Sequence, residues 1–274
     1  MGALRDIADH ATGSRQATAK SAVGEIEDAR EAEALDLLTA AGVFIGYEDF
    51  AVGALTSQKY TLRIDDRWNG DQKPLAWLRW VRGIRYVTAA GDAVNDTVLQ
   101  QIVRMPQVNT IALIEGSLGP KGIAALSTMP RINALEIRYV KLTPEMTNLI
   151  AKLPIRESLS LMGTTVTPQR AELLKSQLPG LSISHRRGGF LGVTCGAADT
   201  TSCEIWTVRP GSAALKAGLR RADIVTEIDG QRIERFADLQ SVIGAHVAGD
   251  ELDFVIDRRG ERVETKVTLS KQLD

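Results

Sequence analysis

Three histidines, two cysteines and scattered hydroxyls are among the residues of this 274-residue chain able to act as bases, ligands or nucleophiles. Hydrolysis by a serine needs a histidine to take its proton and a carboxylate to orient that histidine. His10 lies near the N-terminus, His185 in a linking segment, and His246 at the end of an apolar helical stretch. No Gly-x-Ser-x-Gly elbow, phosphate-binding loop or spaced set of metal ligands accompanies them. The expectation is therefore a chain that is not an enzyme, with no catalytic residues, no cofactor and no metal. Cys195 and Cys203, eight positions apart, fit either free thiols or one hairpin disulfide. A different chemistry is offered by "RRGGFLGVTC", residues 186–195, where Gly192 interrupts an apolar run. Glycine inside such a run signals a bend or the close approach of another backbone.

The frame around these residues is ordinary in composition. Hydrophobic residues make up 44% and charged residues 24%, as in a soluble globular protein. Residues 185–274 hold 13 basic and 14 acidic side chains, so no basic excess marks a nucleic-acid or anionic-membrane binder. No apolar run is long enough to span a bilayer, and the first residues lack the apolar core of a signal peptide.

Internal repetition organises the first two thirds. Pro106, Pro130, Pro154 and Pro179 recur at intervals of 24, 24 and 25 residues, and Val94, Leu118, Leu142 and Val166 are each 24 apart. Each unit opens with strand-like alternation, such as Ile111 and Leu113 or Leu135 and Ile137, and closes with helical spacing, such as Leu99 and Ile102 or Ile123 and Leu126. Neither half can bury its apolar side alone, so neighbouring units must stack. With Ile111 and Leu113 inward, Thr110, Ala112 and Ile114 face outward, in columns with Tyr86, Thr88 and Ala90, with Ala134, Glu136 and Arg138, and with Ser158, Ser160 and Met162. These units resemble leucine-rich repeats, with Val108, Ile111, Leu113 and Leu118 at the leucine positions of one unit. The Asn/Cys position departs from that pattern, being filled by Asp92, Gly116, Val140 and Thr164.

Beyond residue 188 short β-rich segments alternate with two helical candidates, "SAALKAG" and "FADLQSVIGAH". "GFLGV", "VRPGSAALKAGLRRADIVTEIDGQRIERFADLQSVI" and "DFVIDRRGERVETKVTL" resemble, in order, a PDZ domain of the bacterial, HtrA-associated type. One departure is Ala222-Asp223 where that family usually has Gly-Asp; an alanine there is strained if the turn needs a positive φ. The fold class expected is thus an α/β leucine-rich-repeat solenoid followed by an α+β PDZ domain, a five-stranded partly open barrel with two helices. The division expected is a disordered tail over 1–24, a capping segment over 25–57, repeats over 58–184 and the PDZ domain over 185–274.

The resemblance implies a peptide-binding site. Phe190, Leu191, Gly192 and Val193 correspond to the loop whose N–H groups meet a peptide's terminal carboxylate. The peptide would add as a strand beside Val193, Thr194 and Cys195. Leu239, Val242 and Ile243 are candidates for the opposite wall, and Arg186 and Arg187 for long-range attraction of the carboxylate. The partners implied are protein C-termini or peptides, with a second partner on the concave face of the repeats. The function expected is a non-enzymatic adaptor. The alternatives are an assembly scaffold whose groove is covered by its own solenoid, or a regulatory subunit of an envelope protease. The same resemblance implies the cell envelope, the bacterial periplasm, as the compartment.

Overall fold

The computed structural model describes residues 2–52, 55–196 and 202–273. Two helices come first, α1 (Gly2–His10) and α2 (Gly13–Ala40). They cover residues for which the sequence implies an unstructured tail. Ala8 and Ala19 are buried, the Gln16 amide donates to the Ala8 carbonyl, and Arg5 pairs with Glu27 at 2.6 Å. Small side chains and an ion pair thus hold these two helices together. Further along α2, Leu38 is fully buried, and Glu31 and Asp28 bind the guanidinium of Arg82.

A mostly parallel sheet follows, its strands adjacent in chain order: β1 (Phe44–Val52), β2 (Leu55–Ile64), β3 (Tyr86–Ala90), β4 (Thr110–Ile114), β5 (Ile132–Arg138), β6 (Ile155–Met162) and β7 (Ser182–Arg186). β1 and β2 form a hairpin, and β2, β3 and β4 run parallel. The register Tyr86↔Thr110 and Val87↔Ile111 carries the 24-residue period directly into the sheet. Short helices return the chain: α3 (Asp96–Ile102), α4 (Pro120–Leu126), α5 (Pro144–Ile150) and α6 (Pro168–Gln177). A second proline series, Pro120, Pro144 and Pro168, opens three of them, where the missing N–H costs nothing. Asn95, Thr143 and Thr167 cap α3, α5 and α6 by accepting from Val98, Met146 and Arg170 N–H groups. Ile111, Leu113, Leu135 and Ile137 face inward and are buried, as the alternation requires. Ile114 and Met162, expected outward, are buried too, because they end their strands where the chain turns away. Side-chain hydrogen bonds tie the loops of neighbouring units: Asp96 accepts from Gly119 N–H at 2.7 Å, and Thr165 exchanges two hydrogen bonds with the Leu142 backbone. Trp68, Trp77 and Trp80 have separate partners. The Trp68 indole donates to the Asp71 carbonyl, while Arg30 and Arg79 lie over Trp77 and Trp80.

Contacts divide the chain into two units, residues 1–136 with 143–158, and residues 137–142 with 159–274. The second contains another sheet: β8 (Val193–Cys195), β9 (Cys203–Val208), β10 (Ile224–Ile228), β11 (Gln231–Arg232), β12 (Glu251–Arg258) and β13 (Glu261–Thr268). Its order is β13-β12-β10-β9-β8, with the two-residue β11 beside β10. That short strand is additional to the five segments legible in the sequence. Two helices complete the unit, α7 (Ala213–Lys216) and α8 (Phe236–Gly244). Phe254, Leu252, Ile256 and Val267 from β12 and β13 form the centre of its core with Ile205, Val225 and Ile228. Ala222 has φ 68°, so the alanine does occupy the left-handed conformation that the sequence comparison with Gly-Asp turns raised. Its neighbour Asp223 is buried and takes two hydrogen bonds from Arg258, at 2.8 Å each, and one from Arg220 N–H. Among the described residues no helix is long and apolar enough to cross a membrane.

Candidate peptide-binding groove

β8 is an edge strand, because the order of its sheet ends there. An edge presents backbone donors and acceptors along one side, the requirement for adding a further strand. Its side chains alternate. Val193 and Cys195 pack against the core, while Thr194 is exposed on the other face and meets Thr207 at 2.6 Å.

The loop before β8 is held by its carbonyls. Phe190 exchanges two backbone hydrogen bonds with Ser270, the Leu191 carbonyl accepts from Ala214 N–H, and the Gly192 carbonyl accepts from Arg209 N–H. Among the described residues no protein group accepts from the N–H of Leu191 or Gly192. Gly192 has φ 84°, and a Cβ there would lie 2.3 Å from the Ser212 Cβ. What closely approaches this glycine is therefore Ser212, the residue that caps α7 through Leu215 N–H. Glycine here is a requirement of the fold itself, and the unpartnered N–H pair is the feature that bears on a ligand.

The other sequence-identified residues are distributed as follows. Leu191, Leu239, Val242 and Ile243 all belong to one buried core cluster. The last three sit at i, i+3 and i+4 on α8, a single stripe whose members are all buried. Phe190 stays half-buried, with the Arg209 guanidinium 5.7 Å from its ring centre. Arg187 is occupied at the C-terminal end of α8: its N–H donates to the Gly244 carbonyl and its guanidinium to the Ala245 carbonyl. Arg186 is exposed, with its stem beside Gly244. Arg209 was not singled out in the sequence, yet it is the cation whose backbone and side chain both touch the loop. Its position after the β9 segment "CEIWTV", beside Pro210-Gly211, was the available signal.

Among the described residues each histidine has a separate partner. His185 Nε2 contacts the Val166 carbonyl at 2.8 Å, His246 Nδ1 meets Asp250 at 3.1 Å, and His10 pairs with Asp6 on the surface.

Residues 162–269 match the family model of the PDZ domain. The chain is 39% identical over 61 residues to the serine protease Do-like HtrA of Lactobacillus helveticus, covering 22% of this chain and 14% of that protein. It is 39% identical over 57 residues to a putative zinc metalloprotease of Brucella suis, covering 21% and 15%. To a probable periplasmic serine protease do/HhoA-like of Haemophilus influenzae it is 34% identical over 87 residues, covering 30% and 19%. The matched stretches thus span less than a fifth of these curated relatives. The PDZ domain expected from the sequence is present and is similar to those of the HtrA/Deg proteases. The expectation of a chain that is not an enzyme is corrected by the same relatives, which are named as proteases of two mechanistic kinds. The three histidines speak only for residues within this chain, whereas the similarity links it to proteins whose work is proteolysis.

Proposed function

We propose that this protein recognises the free C-terminal ends of polypeptides in its PDZ domain and does so in the service of proteolysis. The observation that carries this reading is the pair of unpartnered N–H groups at Leu191 and Gly192, placed at the start of the edge strand β8. A terminal carboxylate supplies the acceptors that those amides lack, while the peptide backbone pairs along β8 and an apolar last side chain sits against Leu191, Val193 and α8. The residues assigned to the site are Phe190, Leu191, Gly192, Val193, Thr194 and Cys195, with Leu239, Val242 and Ile243 behind them and Arg209 as the cation beside the Phe190 ring. Proteolysis is favoured over an unrelated scaffold role by the serine and zinc proteases that share sequence with the chain. The periplasm is favoured as its compartment by the periplasmic protease among them. We read the 24-residue βα units as a leucine-rich-repeat solenoid over residues 58–184 that offers a second docking surface. The repeated register and the small outward residues Thr88, Ala90, Thr110 and Ala112 support that reading.

The test is selection from a library of peptides displayed with free C-termini on the intact chain. Enrichment of sequences ending in an apolar residue is expected. Enrichment of internal sequences, indifferent to the last residue, would overturn the proposal.

A further inference from the structure

Cys195 ends β8 and Cys203 opens β9, and both are free thiols. Their sulfurs lie 3.4 Å apart. The ladder between these strands shifts register beside Cys195. Thr194 lies opposite Thr207, but Cys195 lies opposite Ile205, so Trp206 is an extra residue on β9. Beyond the shift the ladder continues, with Gly196 N–H donating to the Glu204 carbonyl. Cys203 is fully buried, while Cys195 is half-buried on the face of β8 that packs toward the core. A disulfide has an S–S distance of about 2.05 Å, so the sulfurs need move together by little more than about 1 Å.

We propose that Cys195 and Cys203 are a reversible dithiol–disulfide pair that sets the affinity of the groove, oxidised by exchange with a small or protein disulfide. The bond itself stands on the sulfur geometry alone; its effect on affinity rests on the peptide-binding reading above. In the first step the more accessible Cys195 thiolate attacks the donor disulfide. The donor S–S bond breaks, a mixed disulfide forms on Cys195, and one donor thiolate leaves. The Cys203 thiolate then attacks the Cys195 sulfur and expels the second donor thiolate. Two electrons pass from the cysteine pair to the donor, and the two protons lost by the cysteines end on the two released thiols. The hydrogen bond between the two sulfurs holds the Cys203 thiol below its ordinary pKa in spite of burial. The same hydrogen bond, with burial, holds the Cys195 proton more tightly, making the first attack the slow one.

Crosslinking fixes the end of the edge strand to β9. Strand addition then requires less ordering of β8, so the oxidised form should bind peptide more tightly, by at least about threefold. The experiment uses the full chain treated with oxidised glutathione. Intact mass and thiol titration are measured first, followed by calorimetry of the reduced and oxidised forms with a peptide ending in leucine. The expected results are loss of both thiols with the mass of two hydrogens, tighter binding after oxidation, and reversal by dithiothreitol. Cys203→Ser should instead retain one glutathione on Cys195 and show no comparable gain. Two glutathione adducts, or two thiols that persist, would overturn the bond. An internal disulfide with unchanged or weaker binding would overturn the regulation and leave the peptide site standing. If neither form binds peptide, the regulation falls together with the peptide-binding reading, while the mass and thiol count still decide the bond.

Discussion

Gly192 illustrates how one residue can carry two demands. Its φ of 84° is unfavourable for any side chain, and a Cβ would collide with Ser212. Gly192→Ala should therefore destabilise the protein by roughly 2 kcal/mol or more in urea unfolding, before any question of ligand arises. The sequence identified this glycine but not its neighbour, because Ser212 lies twenty residues on and only the fold brings it under the loop. Asp223 is a second case. Burial works against its carboxylate, but the Arg258 guanidinium and the Arg220 N–H outweigh that and hold its pKa below the ordinary value. A depressed folded pKa means stability that is present above about pH 4 and is lost as the pH falls through the lower folded value. Asp223→Asn should cost about 2–4 kcal/mol at neutral pH, since it leaves Arg258 without its charge partner. It should also flatten the acid limb of stability below about pH 4, measurable by denaturant titrations across pH.

At the scale of elements, what was legible followed from repetition and alternation. The 24-residue period appears in the sequence and again as the Tyr86↔Thr110 register, because parallel neighbours one unit apart occupy equivalent positions. The buried strand residues Ile111, Leu113, Leu135 and Ile137 were read correctly for the same reason. Helical structure within residues 1–24 was missed because Ala8 and Ala19 bury little apolar surface, and ion pairs such as Arg5–Glu27 leave no periodic signal. The inward turn of Leu239, Val242 and Ile243 was undecidable from spacing, since i, i+3 and i+4 describes a stripe without saying what it faces. The caps make a quantitative check. Thr143 accepts from Met146 N–H at the start of α5, and Thr143→Ala should lower stability by about 1 kcal/mol, while Thr143→Ser should retain most of it. Equal stability of the alanine and serine variants in urea titrations would contradict that role.

For the whole molecule, near neutrality leaves no strong field to attract a partner, so recognition has to be local. The local feature is the edge strand β8 with its preceding loop, on a PDZ domain similar to those of proteases. Burial of one apolar peptide side chain contributes roughly 1.5–3 kcal/mol, and each charge-assisted hydrogen bond from the loop about as much. Set against the entropy of immobilising the peptide, these place the complex near micromolar affinity, about −8 kcal/mol. The most direct measurement is calorimetry of the intact protein with two peptides of the same sequence ending in an apolar residue, one with a free carboxylate and one amidated. The free acid should bind near micromolar, and the amide at least about tenfold more weakly, a loss of about 1.4 kcal/mol or more. Equal affinity for the two peptides would contradict the carboxylate-binding role of the Leu191 and Gly192 N–H groups.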